Sequence, residues 1–181
     1  MIKRIVLVLL IVLIPSVAFA QIQLGPTAYY NHSLRIADVD EEVDDVVWDT
    51  SNFSFGADAR LKLGMLQGQA VGLYTPPSPE DGVDAVHLID LHTNVGLAFD
   101  ILMFRIGAGL GPSFAFEFGD GATETAGIGT NARVGAEVGL GGIAFALNYL
   151  MRFPFDFEEA GRIFSADKSR GHVGASVLFS L

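Results

Sequence analysis

Apolar and polar positions alternate along most of the chain. The clearest stretch is 104–118, where every even position is apolar and the odd positions hold small residues, with Arg105 and Glu117 near the two ends. Successive side chains of a β-strand point to opposite faces, so the stretch predicts a strand with one wholly apolar surface and one surface of small residues. Such strands are typical of β-barrels that span a membrane.

The same alternation predicts eight strands. They are expected at 22–31, 52–63, 66–75, 85–99, 103–118, 126–140, 143–154 and 170–181. The connections alternate between short ones, at 64–65, 100–102 and 141–142, and longer ones, at 32–51, 76–84, 119–125 and 155–169. Outer-membrane barrels have short periplasmic turns, longer external loops and an even number of strands. The predicted fold is therefore all-β: an eight-stranded antiparallel up-and-down transmembrane barrel with a plugged polar interior.

Two prolines interrupt the predicted strands. Pro26 lies in the first strand and Pro112 in the fifth. Proline has no N–H for the ladder, so each is expected to mark a bulge or a local break.

The N-terminus has the features of a secretory signal peptide. Lys3 and Arg4 precede an apolar run at 5–14, which ends at Pro15 and is followed by Ala18-Phe19-Ala20. This pattern predicts a signal peptide over 1–20 that is cleaved after Ala20, because the apolar run is too short for a membrane-spanning helix. Residues 21–181 are then one barrel domain. The chain has no cysteine, so no disulfide framework is expected.

Alternation alone also fits a soluble lipocalin-like barrel, whose apolar face would surround a ligand. The polar face distinguishes the two. A soluble exterior should be rich in Lys and Glu, but the predicted strands contain a single lysine, Lys62, among many glycines and alanines. Small residues suit the narrow interior of an eight-stranded barrel, so the membrane barrel is favoured.

The polar face carries charges of both signs, which should meet inside the barrel. The predicted lumen network comprises Asp58, Arg60, Lys62, Asp90, His92, Arg105, Glu117, Arg133, Glu137, Arg152 and His172. Burying an unpaired charge costs several kcal/mol, so the near balance of signs predicts a cross-linked ionic plug. General diffusion of solutes through the barrel is not expected.

The acidic residues concentrate in the predicted loops and account for the net charge of −10. The first loop carries Asp38, Asp40, Glu41, Glu42, Asp44 and Asp45. These carboxylates suggest a weak Ca²⁺ or Mg²⁺ site bridging to lipopolysaccharide phosphates, or attraction of a basic surface partner. The alternative is a solvated loop that stays away from acidic lipid, because the string lacks the glycine turn and ligand spacing of an EF-hand. No firm metal site is predicted.

Two motifs suggest other chemistry, and the residues around each of them argue against it. Gly107, Gly109 and Gly111 lie within a strand with no helix after it, which excludes a nucleotide-binding loop, and no nucleic-acid partner is expected. His87 is the one histidine able to face lipid at the outer rim, as a lipid-modifying enzyme would need. Ile89 occupies the next position on that face, where a lipid A deacylase pattern would have serine, so no catalytic triad is predicted.

Aromatic residues gather near the predicted strand ends and suggest the two girdles of a membrane barrel. The girdle at the loop end is expected to comprise Tyr29, Tyr30, Phe53, Phe55, Phe116, Phe118, Tyr149 and Phe153.

Over the whole mature chain the pattern resembles the small eight-stranded outer-membrane barrels of the OmpA transmembrane-domain and OmpX kind. The closing strand resembles the C-terminal signal that barrel-insertion machinery recognises, with Phe179 and Leu181 at its end. The resemblance implies a monomer in the outer membrane of a Gram-negative bacterium, with outer-membrane lipids, lipopolysaccharide and the insertion machinery as partners. The expected role is structural or surface interaction. No enzymatic activity is expected because the triad is missing, and no cofactor is expected beyond the possible weak Ca²⁺ or Mg²⁺ at the first loop. A lipid-modifying enzyme and a secreted carrier of an apolar ligand are the alternatives.

Overall fold

The computed structural model describes residues 20–32, 50–77, 86–119, 126–154 and 170–181. Its strands are β1 (Ala20–His32), β2 (Phe53–Leu63), β3 (Leu66–Thr75), β4 (His87–Ile101), β5 (Phe104–Phe118), β6 (Ala126–Leu140), β7 (Ile143–Pro154) and β8 (Arg170–Ser180), and a single 3-10 turn, Thr50–Asn52, precedes β2. Each strand pairs antiparallel with its chain neighbours, and β1 pairs with β8 to close the barrel. The predicted fold class is confirmed. The signal peptide stays a prediction, since 1–19 lie outside the described residues.

The strand registers define the shear of the barrel. Following paired residues from Ala20 through every strand in turn returns to β1 at Tyr30, which is a shear of ten residues. With eight strands, this shear inclines each strand by about 40° to the barrel axis. An interior of this size is filled largely by side chains.

The two faces of the sheet have the predicted compositions. Outward side chains are apolar and well exposed, for example Val95 at 70% and Leu110 at 69%. Inward side chains are mostly polar and buried, and Asp58 and His92 are 0% exposed. A carrier of apolar ligands needs an apolar interior, so the lipocalin-like alternative is wrong.

Three tight turns lie at one end of the barrel, which we call the turn end. They are Gly64–Met65, Leu102–Met103 and Gly141–Gly142, and the first residue of each has a positive φ of 61°, 58° and 67°. Two-residue hairpins of this hand match the twist of the strands and favour glycine. The other connections, 33–49, 78–85, 120–125 and 155–169, join strands at the opposite end, the loop end, and lie outside the described residues. Among the described residues, no helix is long and apolar enough to cross a membrane.

Both prolines interrupt their ladders without inserting a residue. Pairing of β4 with β5 stops at His92↔Ser113 and resumes at Val95↔Leu110 in the same register, so Pro112 lies in a two-residue break. Pairing of β1 with β8 shows the same gap around Pro26. The prediction of a bulge or a break is thus resolved as a break, because the missing N–H removes pairing but leaves the strand length unchanged.

An interior amide bridges the break at Pro112. The Nδ2 group of Asn131, on β6, donates to the carbonyl oxygens of Thr93, Gly111 and Pro112 at 3.1, 3.0 and 2.8 Å. Its Oδ1 atom accepts a hydrogen bond from Asn94 Nδ2 at 3.0 Å. Asn131 therefore supplies the donor that the proline removes.

Replacing Asn131 by leucine is expected to lower the free energy of unfolding by about 1–3 kcal/mol, because buried carbonyl groups lose their donor. Restoring a backbone N–H with Pro112→Ala should recover part of that loss, so the two substitutions should be non-additive. Urea unfolding of both single variants and the double variant in lipid vesicles measures the coupling. Strictly additive effects would show that Asn131 does not compensate for Pro112.

The assignment of Tyr29 to the aromatic girdle is wrong. Tyr29 is 1% exposed and lies in the lumen, where its ring covers Gly174; a Cβ added there would lie 2.4 Å from the ring. Tyr29 occupies one of the alternate positions of β1 that face the lumen, and Gly174 on the neighbouring β8 leaves space for its ring. Tyr30 faces outward, with its ring 5.3 Å from that of Phe53, as a girdle requires.

Candidate functional site

The centre of the lumen is built around Asp58. This carboxylate accepts hydrogen bonds from Arg60 Nη2 at 2.6 Å, Gln69 Nε2 at 2.8 Å and Ser176 Oγ at 2.8 Å. Its donors come from β2, β3 and β8, all through residues at inward positions. A fully buried carboxylate is tolerated only with such partners, so these strands are tied together at one level of the barrel.

An ionic contact crosses the lumen at the same level. Arg60 Nη1 donates to Glu137 Oε2 at 3.1 Å, and Lys62 Nζ donates to the other oxygen of Glu137. Arg60 lies on β2 and Glu137 on β6, which stand four strands apart and therefore face each other across the barrel. The contact spans the full width of the interior.

Arg133 completes this level without a carboxylate partner in the described part of the chain. Its Nε and Nη2 atoms donate to Asn148 Oδ1, at 2.9 Å for Nε. Gly135 leaves room for the pair, because a Cβ there would approach both Arg133 and Asn148 to 2.7 Å. Asp58, Arg60, Lys62, Arg133, Glu137 and Asn148 form what we call the central cluster. All six side chains are almost inaccessible to solvent.

A second ionic pair lies at the turn end. Arg105 Nη1 donates to Asp100 Oδ2 at 2.6 Å, and Arg105 Nη2 donates to the carbonyl oxygen of Gly64 at 2.6 Å. The sequence pattern puts Asp100 in a turn and does not predict it as a partner of Arg105, whereas in the structure it lies in β4 at an inward-facing position, as Asp90 does. Between this pair and the central cluster, a polar cavity of about 420 Å³ opens at the turn end.

The loop end of the lumen holds a third group. Arg152 Nη1 lies 3.3 Å from Asp90 Oδ1. The rings of His92 and His172 stand 6.2 Å apart, and His172 Nδ1 hydrogen-bonds Asn31 Oδ1 at 2.8 Å. These contacts join β4, β7, β8 and β1 on the loop-end side of the central cluster.

The predicted lumen residues are therefore gathered in the interior with one exception. Asp58, Arg60, Lys62, Asp90, His92, Arg105, Arg133, Glu137, Arg152 and His172 all lie in the interior. Glu117 occupies an inward-facing position but is exposed, because it lies one residue from the loop end of β5, beyond the closed part of the barrel. Its assignment to the buried network is wrong.

At the loop-end rim, His87 is held between aromatic rings. Its Nδ1 lies 2.7 Å from Tyr74 Oη, and its ring stacks on Phe118 at 5.2 Å. Ile89 faces outward beside it, as the sequence indicated. The arrangement has a tyrosine where a triad would need a carboxylate.

The remaining candidate residues lie in the first loop and at the end of the closing strand. Asp38, Asp40, Glu41, Glu42, Asp44 and Asp45 lie outside the described residues. At the closing strand, Phe179 is exposed on the outer face, and the backbone N–H of Leu181 donates to the carbonyl of Ile22 at 2.9 Å. Within the described ranges, no group of three or more His, Asp or Glu side chains is placed to hold a metal ion.

Proteins of known structure share this architecture, among them the following two. Neisserial surface protein A (NspA) superposes with a TM-score of 0.57 at 12% identity, covering 90% of this chain and 97% of NspA. The chain has the fold of the small eight-stranded outer-membrane β-barrels. Ail, the attachment invasion locus protein of Yersinia pestis, superposes with the same coverage, at a TM-score of 0.55 and 9% identity in complex with the heparin analogue sucrose octasulfate, and at 0.53 and 10% without it.

No protein-family model and no curated protein matches the chain. The similarity of this barrel to NspA and Ail is thus one of fold. It confirms the predicted architecture.

Proposed function

We propose that this protein is an outer-membrane barrel with a structural and surface-interaction role, which displays acidic loops and is not a general diffusion pore. The observation that carries the proposal is the central cluster. Its residues cross the lumen from β2 to β6 and are almost inaccessible to solvent. A barrel closed in this way offers a rigid support for its loops and no aqueous route for solutes.

The position of the loops supports display at a surface. In the described part of the chain, the three tight turns lie at one end, and the long connections leave from the other. In outer-membrane barrels the longer connections face the exterior. The first of these connections carries the run of acidic residues that includes Asp40, Glu41 and Glu42.

The acidic loops favour cationic partners. Ail was solved with sucrose octasulfate, a polyanion. The first loop of this chain would repel such a ligand, because Asp38–Asp45 carries six carboxylates and no base. We therefore propose that this loop binds Ca²⁺ or Mg²⁺ weakly, bridging to lipopolysaccharide phosphates, or binds a basic surface partner.

Neutralising the first loop is expected to abolish divalent-dependent association with lipopolysaccharide. The variant replaces Asp38, Asp40, Glu41, Glu42, Asp44 and Asp45 by the corresponding amides. The folded barrel is reconstituted in vesicles, and its binding to immobilised lipopolysaccharide is measured with Ca²⁺, with Mg²⁺ and with a chelator. Binding of the unchanged chain should require the divalent ion, since a carboxylate and a phosphate repel each other without it.

The matched control neutralises Asp156, Glu158 and Glu159 in the last loop. Both variants should keep the heat-modifiable gel migration of a folded barrel. If the first-loop variant binds as well as the unchanged chain with every ion, the cation-bridging proposal is wrong. Binding of a basic polypeptide that is lost in the same variant would support the second form of the proposal instead.

We propose no catalytic role. The His87 Nδ1 atom is engaged by a tyrosine hydroxyl, and the outward position next to it on β4 is Ile89. A lipid-modifying enzyme would need a nucleophile or a general base with an orienting carboxylate at this rim. Lipid analysis of a deletion strain tests this proposal, which fails if the acylation of lipopolysaccharide changes.

A further inference from the structure

The β4–β5 turn has two costly features at one residue. Leu102 adopts a φ of 58°, a left-handed conformation that is unfavourable for leucine because its Cβ lies too close to the following carbonyl oxygen. Its side chain is also 96% exposed. The equivalent positions of the other two tight turns are glycines, Gly64 and Gly141, so the turn itself does not require leucine.

Leu102 belongs to a ring of exposed apolar side chains around the turn end, which we call the collar. Its exposed apolar side chains include Ile22, Met65, Ile101, Leu102, Met103 and Leu140, each at least 52% exposed. Two-residue hairpin turns usually carry Asn-Gly, Asp-Gly or Gly-Gly, or have glycine at the first position. The Gly-Met and Gly-Gly turns of this end follow that preference, and the Leu-Met turn does not.

The charged side chains at the turn end lie inside the collar and do not interrupt it. Lys62 and Arg105 are buried in the lumen, and Asp100 lies at its mouth in contact with Arg105. The described residues of the turn end therefore show a charged interior within an apolar collar.

The collar continues the surface that faces lipid. On β4 the outward positions from Ile89 to Ile101 carry no charge. At a tilt of about 40° they extend about 30 Å along the barrel axis. The apolar band of outer-membrane barrels is about 25 Å tall, so the uncharged outward face of β4 extends beyond such a band.

We propose that the collar is immersed in the interface of the periplasmic leaflet, with the Leu102–Met103 tip inserted among phospholipids. The occupant of this surface is lipid, because the tip is continuous with the outer face of β4 and β5. Burial of Leu102 in the interface offsets the cost of its backbone conformation. The tip then sets the depth of the barrel and brings the mouth of the lumen to the level of the headgroups.

Depth-dependent fluorescence quenching tests the proposal. Trp48 is the only tryptophan, so Trp48→Phe provides a silent background for Leu102→Trp. The folded variant is reconstituted in phosphatidylcholine vesicles whose acyl chains carry bromine either near the headgroup or near the chain end. Fluorescence should lose most of its intensity with bromine near the headgroup and little with iodide in the water. Val95→Trp is the matched control, and chain-end bromine should quench it most.

Two results would overturn the proposal. Quenching of the Leu102→Trp variant by iodide but not by brominated lipid would place the tip in water. Because the chain has no cysteine, a Leu102→Cys variant that forms disulfide-linked dimers in vesicles at high lipid excess would assign the surface to a second copy. Should Leu102→Trp fail to fold, Met103→Trp carries the same measurement. Neither result depends on what the acidic loops bind.

Discussion

Replacing Asp58 by alanine is expected to lower the free energy of unfolding by about 3–5 kcal/mol, because it leaves Arg60 buried with an incomplete set of partners. Asp58 is 0% exposed and accepts hydrogen bonds from Arg60, Gln69 and Ser176. Its removal also leaves Gln69 without the acceptor of its amide. The change is therefore expected to weaken β2, β3 and β8 together.

Reversible urea unfolding in lipid vesicles measures this loss. Glu117→Ala is the matched control, since Glu117 is also an acidic residue at an inward-facing strand position but is exposed at the end of β5. Its effect should stay within about 0.5 kcal/mol, as is usual for surface positions. Equal effects of the two substitutions would show that the central cluster does not stabilise the barrel.

Placing an arginine on the lipid-facing surface is the second large perturbation. Val95 is 70% exposed and lies near the middle of β4. An arginine at the midplane of a bilayer costs a transmembrane barrel about 2–4 kcal/mol. Val95→Arg should therefore lower the free energy of unfolding in vesicles by that amount.

The control places the same residue at the turn end. Ile143 is the first residue of β7 and is partly exposed. Near the interface the cost falls to about 0–1 kcal/mol, so Ile143→Arg should be close to neutral. If Val95→Arg is also neutral, this face does not contact hydrocarbon.

The strands and their inward and outward faces could be predicted from the sequence because both depend on local alternation. A strand has a period of two, so the apolar positions of 104–118 define one face without any knowledge of the neighbours. The prediction failed where a side chain's position along the barrel mattered. Glu117 occupies an inward-facing position but lies beyond the closed part of the barrel. Tyr29 lies close to a strand end, which suggests the aromatic girdle, but its side chain points into the lumen.

The partners inside the lumen were decided by the tertiary structure. Arg60 meets Glu137 across the barrel, and Asn131 compensates for Pro112, only because eight registers add up to a shear of ten residues. No local pattern encodes that sum, since each register depends on pairing between strands that are separated by a connection. The sequence by itself determined that the chain forms a barrel with a polar interior. Closure of the sheet decided which charges meet, because it sets the height of every inward side chain at once.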